Sequence, residues 1–460
     1  MSHRSSRRSF LQTTGKTTAG VTAGLATTTL LRDAKAGAAN DKVNVALIGC
    51  GGQGNYDLGK CLDNYKDTEC IALCDVDDSQ LAKVADNVAA KRPDSAKPER
   101  VKDFRRVLDN KDVHAVFIGT PDHWHAIPMI LACQAGKDVY VQKPCCHNIA
   151  EGRVMVDAAK KYERVVQVGT QQRSGSHFKA AVKYIQQGKL GKISMTKTFT
   201  YGNETISKVL DAKDEDSPPP GVDYDMWLGP APERKFNRNR FHNNFRWFFD
   251  YAAGMVGDWN VHLQDIVVWA MGNPQPKSVN ADGGKLVLTD NRDTPDTMVA
   301  TYDYGDFVQV YELRKASGPP WDRKGYGIEF HGTNGKLFVD RSGWNVDPDP
   351  EDWKAEPYKW RTKELRRPGS KQIEPHIGDF LKCIKSRKQP IANIADHFVS
   401  VSACHLANIS IRVGRKIYWD ATKEQCFSDA ALTTPDAGAN ALLKREYRKG
   451  YELPTVEPVA

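Results

Sequence analysis

Asp258 and His262 lie four residues apart in AGMVGDWNVHLQDIVVW, where Val261, Ile266 and Trp269 recur at helical spacing. At that separation two side chains share a helix face. A carboxylate beside an imidazole raises its basicity and fixes its tautomer. The result is a general base able to take a hydroxyl proton while hydride leaves the same carbon. Lys143 precedes Pro144, which biases the lysine towards extended backbone at the end of a strand. There its ammonium can hold and polarise a hydroxyl. The set suits oxidation of an alcohol, with His262 as acid/base, Asp258 orienting it and Lys143 binding the reacting group.

Such chemistry needs a hydride acceptor, and NVALIGCGGQGNYDLGK, Asn44 to Lys60, provides a cradle for one. Gly49, Gly51 and Gly54 form G-x-G-x-x-G between a strand pattern and a helix pattern. The glycines permit a tight turn and close approach of backbone amides to a pyrophosphate, with Gly52 and Gln53 completing the loop at the helix's positive end. About twenty residues later Asp75 ends the next strand, where a carboxylate can accept from adenosine ribose hydroxyls. Its charge would repel a 2′-phosphate, so NAD is expected rather than NADP. In an open α/β sheet the ligand crevice lies at the carboxyl ends of the strands, which directs Lys143 towards the nicotinamide.

The elements that must position these groups alternate along the first part of the chain. VNVALIGC, ECIALCDVD, HAVFIGT, DVYVQKP and RVVQVGT are short apolar runs separated by helical stretches. This pattern implies a parallel sheet covered on both faces. After about residue 172 longer strand-like segments appear, among them ISMTKTFTYG and TMVATYDYGDFVQVYEL, followed by a helical region from Glu374 to Arg415. These predict a second, α+β domain built on a largely antiparallel sheet. The expected organisation is a leader and linker over 1–38, a dinucleotide-binding domain over 39–172 and a substrate-binding and oligomerisation domain over 173–460.

Taken together, G-x-G-x-x-G, GTPDHWH (Gly119 to His125), the Lys143-Pro144 pair and D-x-x-x-H at Asp258 and His262 resemble the glucose-fructose oxidoreductase, inositol dehydrogenase and MocA family. The resemblance implies a Rossmann domain followed by an open-faced sheet whose flat side often supports oligomers, here a dimer or tetramer. It matches Lys143 to the lysine of the family's E-K-P motif, with Gln142 in place of the glutamate, and Asp258 and His262 to its acid/base pair. Thr120, Pro121 and His125 match a loop near the cofactor, and Arg173 is placed to face substrate. FHNNFRWFFDY, Phe241 to Tyr251, together with Trp259 and Trp269, makes the second domain aromatic near the crevice. Trp247 could pack on the C–H face of a sugar, with Arg246 and Asn244 on its hydroxyls. The activity implied is NAD(P)-dependent oxidoreduction of a sugar, polyol or glycoside hydroxyl. Two alternatives remain: a glycosidase that uses NAD for oxidation, elimination and re-reduction, and a nonenzymatic sugar-binding protein on the same fold.

The formal net charge of the 460-residue chain is +8. Much of the excess comes from Arg4, Arg7, Arg8, Lys16, Arg32 and Lys35 against Asp33 alone. The remainder is only mildly basic, which argues against a nucleic-acid partner. The basic start, the weakly apolar TTAGVTAGLATTTLL and Ala34-Lys35-Ala36 have the layout of a signal peptide, and Arg7-Arg8 before Phe10-Leu11 resembles the twin-arginine export signal. A periplasmic protein exported folded, with tightly held cofactor and no membrane span after removal of the signal, is expected. Ten cysteines without regular spacing, including the vicinal Cys145 and Cys146, predict few or no disulfides. His123, His125 and His262 admit a reading as metal ligands, but no cysteine or carboxylate set of zinc-like spacing accompanies them, and no metal is expected.

Overall fold

The computed structural model describes residues 42–204, 210–318 and 324–457. The twin-arginine and cleavage motifs lie outside them. The first sheet consists of β1 (Val43–Ile48), β2 (Thr68–Cys74), β3 (Glu99–Val101), β4 (Ala115–Ile118), β5 (Asp138–Val141) and β6 (Val166–Val168). Its strands are all parallel in the order β3-β2-β1-β4-β5-β6. This is the doubly wound order whose reversal of direction beside β1 opens a crevice at the strand ends. Val45, Leu47, Val116, Phe117, Val139 and Val141 are all buried, as expected of strands with helices on both faces.

One covering helix comes from far along the chain. In Ile373–Ser386 the side chains of Ile377, Phe380, Leu381 and Ile384 join the core under Val45, Leu47 and Leu73. Phe380 meets Phe117 and Tyr140 edge-on, with ring centroids 5.9 and 5.7 Å apart. The segment expected to form the second domain thus also closes a face of the first.

The second sheet has ten strands: β7 (Ile193–Tyr201), β8 (Ser278–Gly284), β9 (Thr297–Asp303), β10 (Val308–Arg314), β11 (Tyr326–Gly332), β12 (Gly335–Asp340), β13 (Gly343–Pro348), β14 (Leu365–Pro368), β15 (Ile417–Asp420) and β16 (Gln425–Phe427). Every pairing is antiparallel except β7 with β10. Helices Ser176–Gln186, Val261–Ala270 and Ile394–Val413 cover one face. Along β9 the residues Met298, Ala300 and Tyr302 turn into that core, while Val299 on the other face is 45% exposed and Val308 of β10 48%. The sheet is therefore open on one side. All ten cysteines are free and buried, and among the described residues no helix is long and apolar enough to cross a membrane.

Candidate active site

A cavity of about 490 Å³ lies where the strand ends of the first sheet meet the second domain. Gly49, Gly51, Gly52, Gln53, Asp75, Thr120, Pro121, Asp122, His125, Gln142 and Lys143 line it from the first domain. Arg246, Asp258, Trp259, His262 and Arg341 line it from the second.

The glycine loop fits a dinucleotide on its own geometry. Gly49 has φ +91°, a left-handed conformation natural to glycine. A Cβ on Gly54 would run into the Gly49 carbonyl oxygen, so this glycine lets helix Gly52–Asn64 pack close to β1 and does not line the cavity. At Gly51 and Gly52, by contrast, a Cβ would point into open space with nothing within 4 Å. No side chain caps that helix, which leaves its first amides facing the opening as an anion site. Asp75 accepts from the Cys50 amide at 2.6 Å and the Asp77 amide at 3.0 Å. Each of its oxygens retains a lone pair for a ribose hydroxyl. Burial raises its pKa to about 6, which hydroxyl donors would counter.

Across the cavity, Lys143 at the end of β5 donates through Nζ to the Asp258 carboxylate at 2.7 Å and to the Asp258 carbonyl at 2.9 Å. Arg246 Nε stands 3.2 Å from the other carboxylate oxygen. Burial alone would raise the Asp258 pKa, but the two cations overcome it and hold the group well below the usual carboxylate range. The expected Asp258–His262 pair is not formed. Asp258 sits in a π-helical turn, Val256–Asn260, immediately before helix Val261–Ala270. The wider turn breaks the four-residue register and sends the carboxylate to Lys143. His262 Nδ1 has no partner among the described residues. Burial, with the charges of Arg341 and Lys143, holds the ring well below its ordinary pKa, so it is a neutral imidazole.

Gln142, where the family motif has glutamate, donates to Asp57 at 2.6 Å, and Gln53 of the glycine loop donates to the same carboxyl at 3.0 Å. Burial pushes Asp57 up to about 7. The acidic group near Lys143 has thus moved from the strand end to the neighbouring helix, and sequence spacing alone gave no sign of it. Asp122, within GTPDHWH, also lines the cavity, and local spacing does not mark it. It is 6% exposed, and its carboxyl is met by its own backbone amide and forms no ion pair among the described residues. Burial raises it to about 8, the nearby Lys143 charge only partly opposing this.

Two expected substrate contacts lie elsewhere. Arg173, 1% exposed, is bound by Asp265 at 2.7 Å and Asp396 at 3.1 Å beneath the second sheet, because Asp265 would otherwise be a lone buried charge. Trp247, 3% exposed, packs under the Arg292 guanidinium at 4.7 Å, while Trp259 takes the position on the cavity wall. Asn244 is not among the lining residues. His125 braces the wall, its ring nitrogens 2.6 and 2.9 Å from the Pro144 and Thr120 carbonyl oxygens. His123 contacts the Trp227 carbonyl at 2.9 Å. Among the described residues no three His, Cys, Asp or Glu side chains form a metal-binding group.

Residues 43–170 match the family model described as oxidoreductase family, NAD-binding Rossmann fold, and residues 175–453 match its C-terminal alpha/beta domain. Among curated relatives, levoglucosan dehydrogenase of Pseudarthrobacter phenanthrenivorans is 37% identical over 91 residues, which is 20% of this chain and 23% of that protein. Myo-inositol 2-dehydrogenase of Thermotoga maritima is 21% identical over 380 residues, covering 82% of this chain and 98% of that one. A solved structure of levoglucosan dehydrogenase in complex with NADH and levoglucosan shares the fold, with a TM-score of 0.61 at 21% identity over 82% of this chain and 99% of that one.

Proposed function

Because the chain belongs to the glucose-fructose oxidoreductase, inositol dehydrogenase and MocA family of oxidoreductases, we propose that it oxidises a carbohydrate or polyol hydroxyl with a nicotinamide dinucleotide. The observation that carries this reading is the convergence, beside the glycine loop, of Lys143 from one domain with Asp258 and the unpartnered His262 from the other. The amides of Gly51 to Gln53 would hold the pyrophosphate and Asp75 the adenosine ribose, which favours NAD over NADP. When bound, the cofactor supplies the hydride acceptor.

Lys143, fixed by Asp258, binds the substrate hydroxyl and lowers the cost of its negative charge as the proton departs. Neutral His262 accepts that proton. Asp258 acts as a positioning residue for the lysine. The low basicity of His262 in the free cleft makes the substrate's own charge and hydrogen bonds part of its activation.

Asp122 favours a second reading. A carboxyl that keeps its proton near neutral pH beside Lys143 can protonate a departing glycosidic oxygen, as a redox-neutral glycosidase requires. Product analysis with NAD⁺ and paired free sugars and glycosides tests both readings. Accumulation of reduced cofactor with a carbonyl product supports oxidation, whereas aglycone release without net reduction supports the second. Cofactor binding with neither outcome contradicts both and leaves a sugar-binding protein.

The same reading extends to the cell. The Arg7-Arg8 signal would export the folded chain to the periplasm with cofactor already loaded and tightly held. The open face of the second sheet, with Val299 and Val308 exposed, would support a dimer or tetramer.

A further inference from the structure

Four cationic side chains line the cavity. Lys102 is paired with Asp78 at 3.1 Å, and Lys143 and Arg246 share Asp258 at 2.7 and 3.2 Å. Arg341, in the turn after β12, is different. Its guanidinium makes no ion pair or hydrogen bond among the described residues, and its Nε is buried without a partner. It lies over the Trp259 ring, 4.9 Å from the centroid, and Trp259 is wedged between Tyr326 at 4.9 Å and His262 at 6.3 Å. With the guanidinium carbon over the indole and its donors unclaimed among the described residues, the side chain is suited to capture of a carboxylate.

The charge balance points the same way. The ionised carboxylate nearest Arg341 is Asp258, already shared by Lys143 and Arg246, while Asp122 is pushed up to about 8 and so stays largely neutral at pH 7. A partly buried guanidinium without a counterion is unfavourable. Burial lowers the Arg341 pKa, but an arginine stays protonated. An anion entering beside Arg341 would relieve that excess. It would also ease the charge that forms on His262 when it accepts a proton, since Arg341 is the foremost of the cations acting on that ring.

We infer that the substrate is a carboxylated sugar, a uronate or aldonate whose carboxylate is held by Arg341. This rests on the oxidoreductase reading and narrows its substrate class.

The test is calorimetric titration of protein loaded with NADH, with D-glucuronate, D-galacturonate and D-mannuronate as probes against glucose, galactose and mannose. At least one uronate should bind about 100-fold more tightly than its uncharged parent, as expected for a desolvated charge pair. Arg341→Met should abolish that difference and Arg341→Lys should restore part of it, with the NADH dissociation constant unchanged in both. Unchanged NADH binding also serves as the folding control. It separates a sugar carboxylate from the cofactor's phosphates as the anion Arg341 holds. Equal binding of uronate and parent, no binding by any of these sugars, or a loss of NADH affinity in Arg341→Met would overturn the inference. Turnover is scored separately: reduction of NAD⁺ by neutral hexoses in preference to uronates leaves the oxidoreductase standing without this specificity. A uronate that binds through Arg341 but is not oxidised removes the reaction and keeps the anion site.

Discussion

Lys143 and Asp258 form the pair that joins the two domains at the cleft, and His262 stands beside it as a neutral imidazole. Lys143→Ala and His262→Ala should each lower kcat by about 10²- to 10⁴-fold with cofactor affinity near wild type, and Lys143→Ala alone should also lower the unfolding temperature because Asp258 loses its closest cation. Steady-state kinetics beside a cofactor titration checks this. Near-wild-type rates in both variants would move the chemistry elsewhere. Asp122 gives a prediction with a defined sign. Its pKa is about 8 in the folded protein and near 4 when unfolded, so the folded state binds more protons between those values. Its contribution to stability is therefore present below pH 4 and lost as pH rises towards 8. Unfolding midpoints of Asp122→Asn should rise relative to the unaltered protein across that window, since the amide cannot ionise. A constant offset would show that Asp122 does not titrate there. The types of these residues were visible in the sequence for Lys143, Asp258 and His262. Their pairing was not, because side-chain partners depend on burial and charge contributed by distant segments.

Helix Gly52–Asn64 and the end of β5 are coupled through Asp57, which holds both Gln53 of the glycine loop and Gln142 before Lys143. Restoring the family's glutamate alone by Gln142→Glu should destabilise the protein by about 2 kcal/mol, since two buried carboxyls would then share one site. The loss should grow with pH as one of them is forced to ionise. Combining it with Asp57→Asn should recover most of the loss, because that exchange returns the charge to the strand end and the amide to the helix. Additive destabilisation in the double variant would show that the two positions are independent. The glycine loop and the parallel strands were legible because strand, turn and helix signals fall within a few residues of one another. The π turn at Val256–Asn260 was not, since it differs from an α-helix by one residue in the turn and carries no local sequence mark. Arg173 and Trp247 lie away from the cleft for a related reason. A charged or aromatic residue near a cleft in sequence turns into the core when a buried partner, Asp265 or Arg292, waits there.

The first domain depends on a helix from residues 373–386, so a chain cut after residue 172 would expose Leu47, Phe117 and Tyr140 and should not yield a stable cofactor-binding domain. Far-UV spectra and NAD binding of that fragment check this. Were the proposed paired-arginine leader to export a folded chain, the dinucleotide site could cross the membrane already loaded. Arg7→Lys with Arg8→Lys should then retain precursor in the cytoplasm, as read by cell fractionation. Most direct for the account as a whole is rapid mixing of cofactor-loaded protein with carbohydrate while the absorbance of reduced nicotinamide is followed through one turnover. Reduction of the bound nicotinamide by a sugar is expected in the unaltered protein. Near-complete loss of that signal is expected in His262→Ala, with cofactor still bound. Reduction at undiminished rate in His262→Ala, or none in the unaltered protein with any carbohydrate, would contradict it.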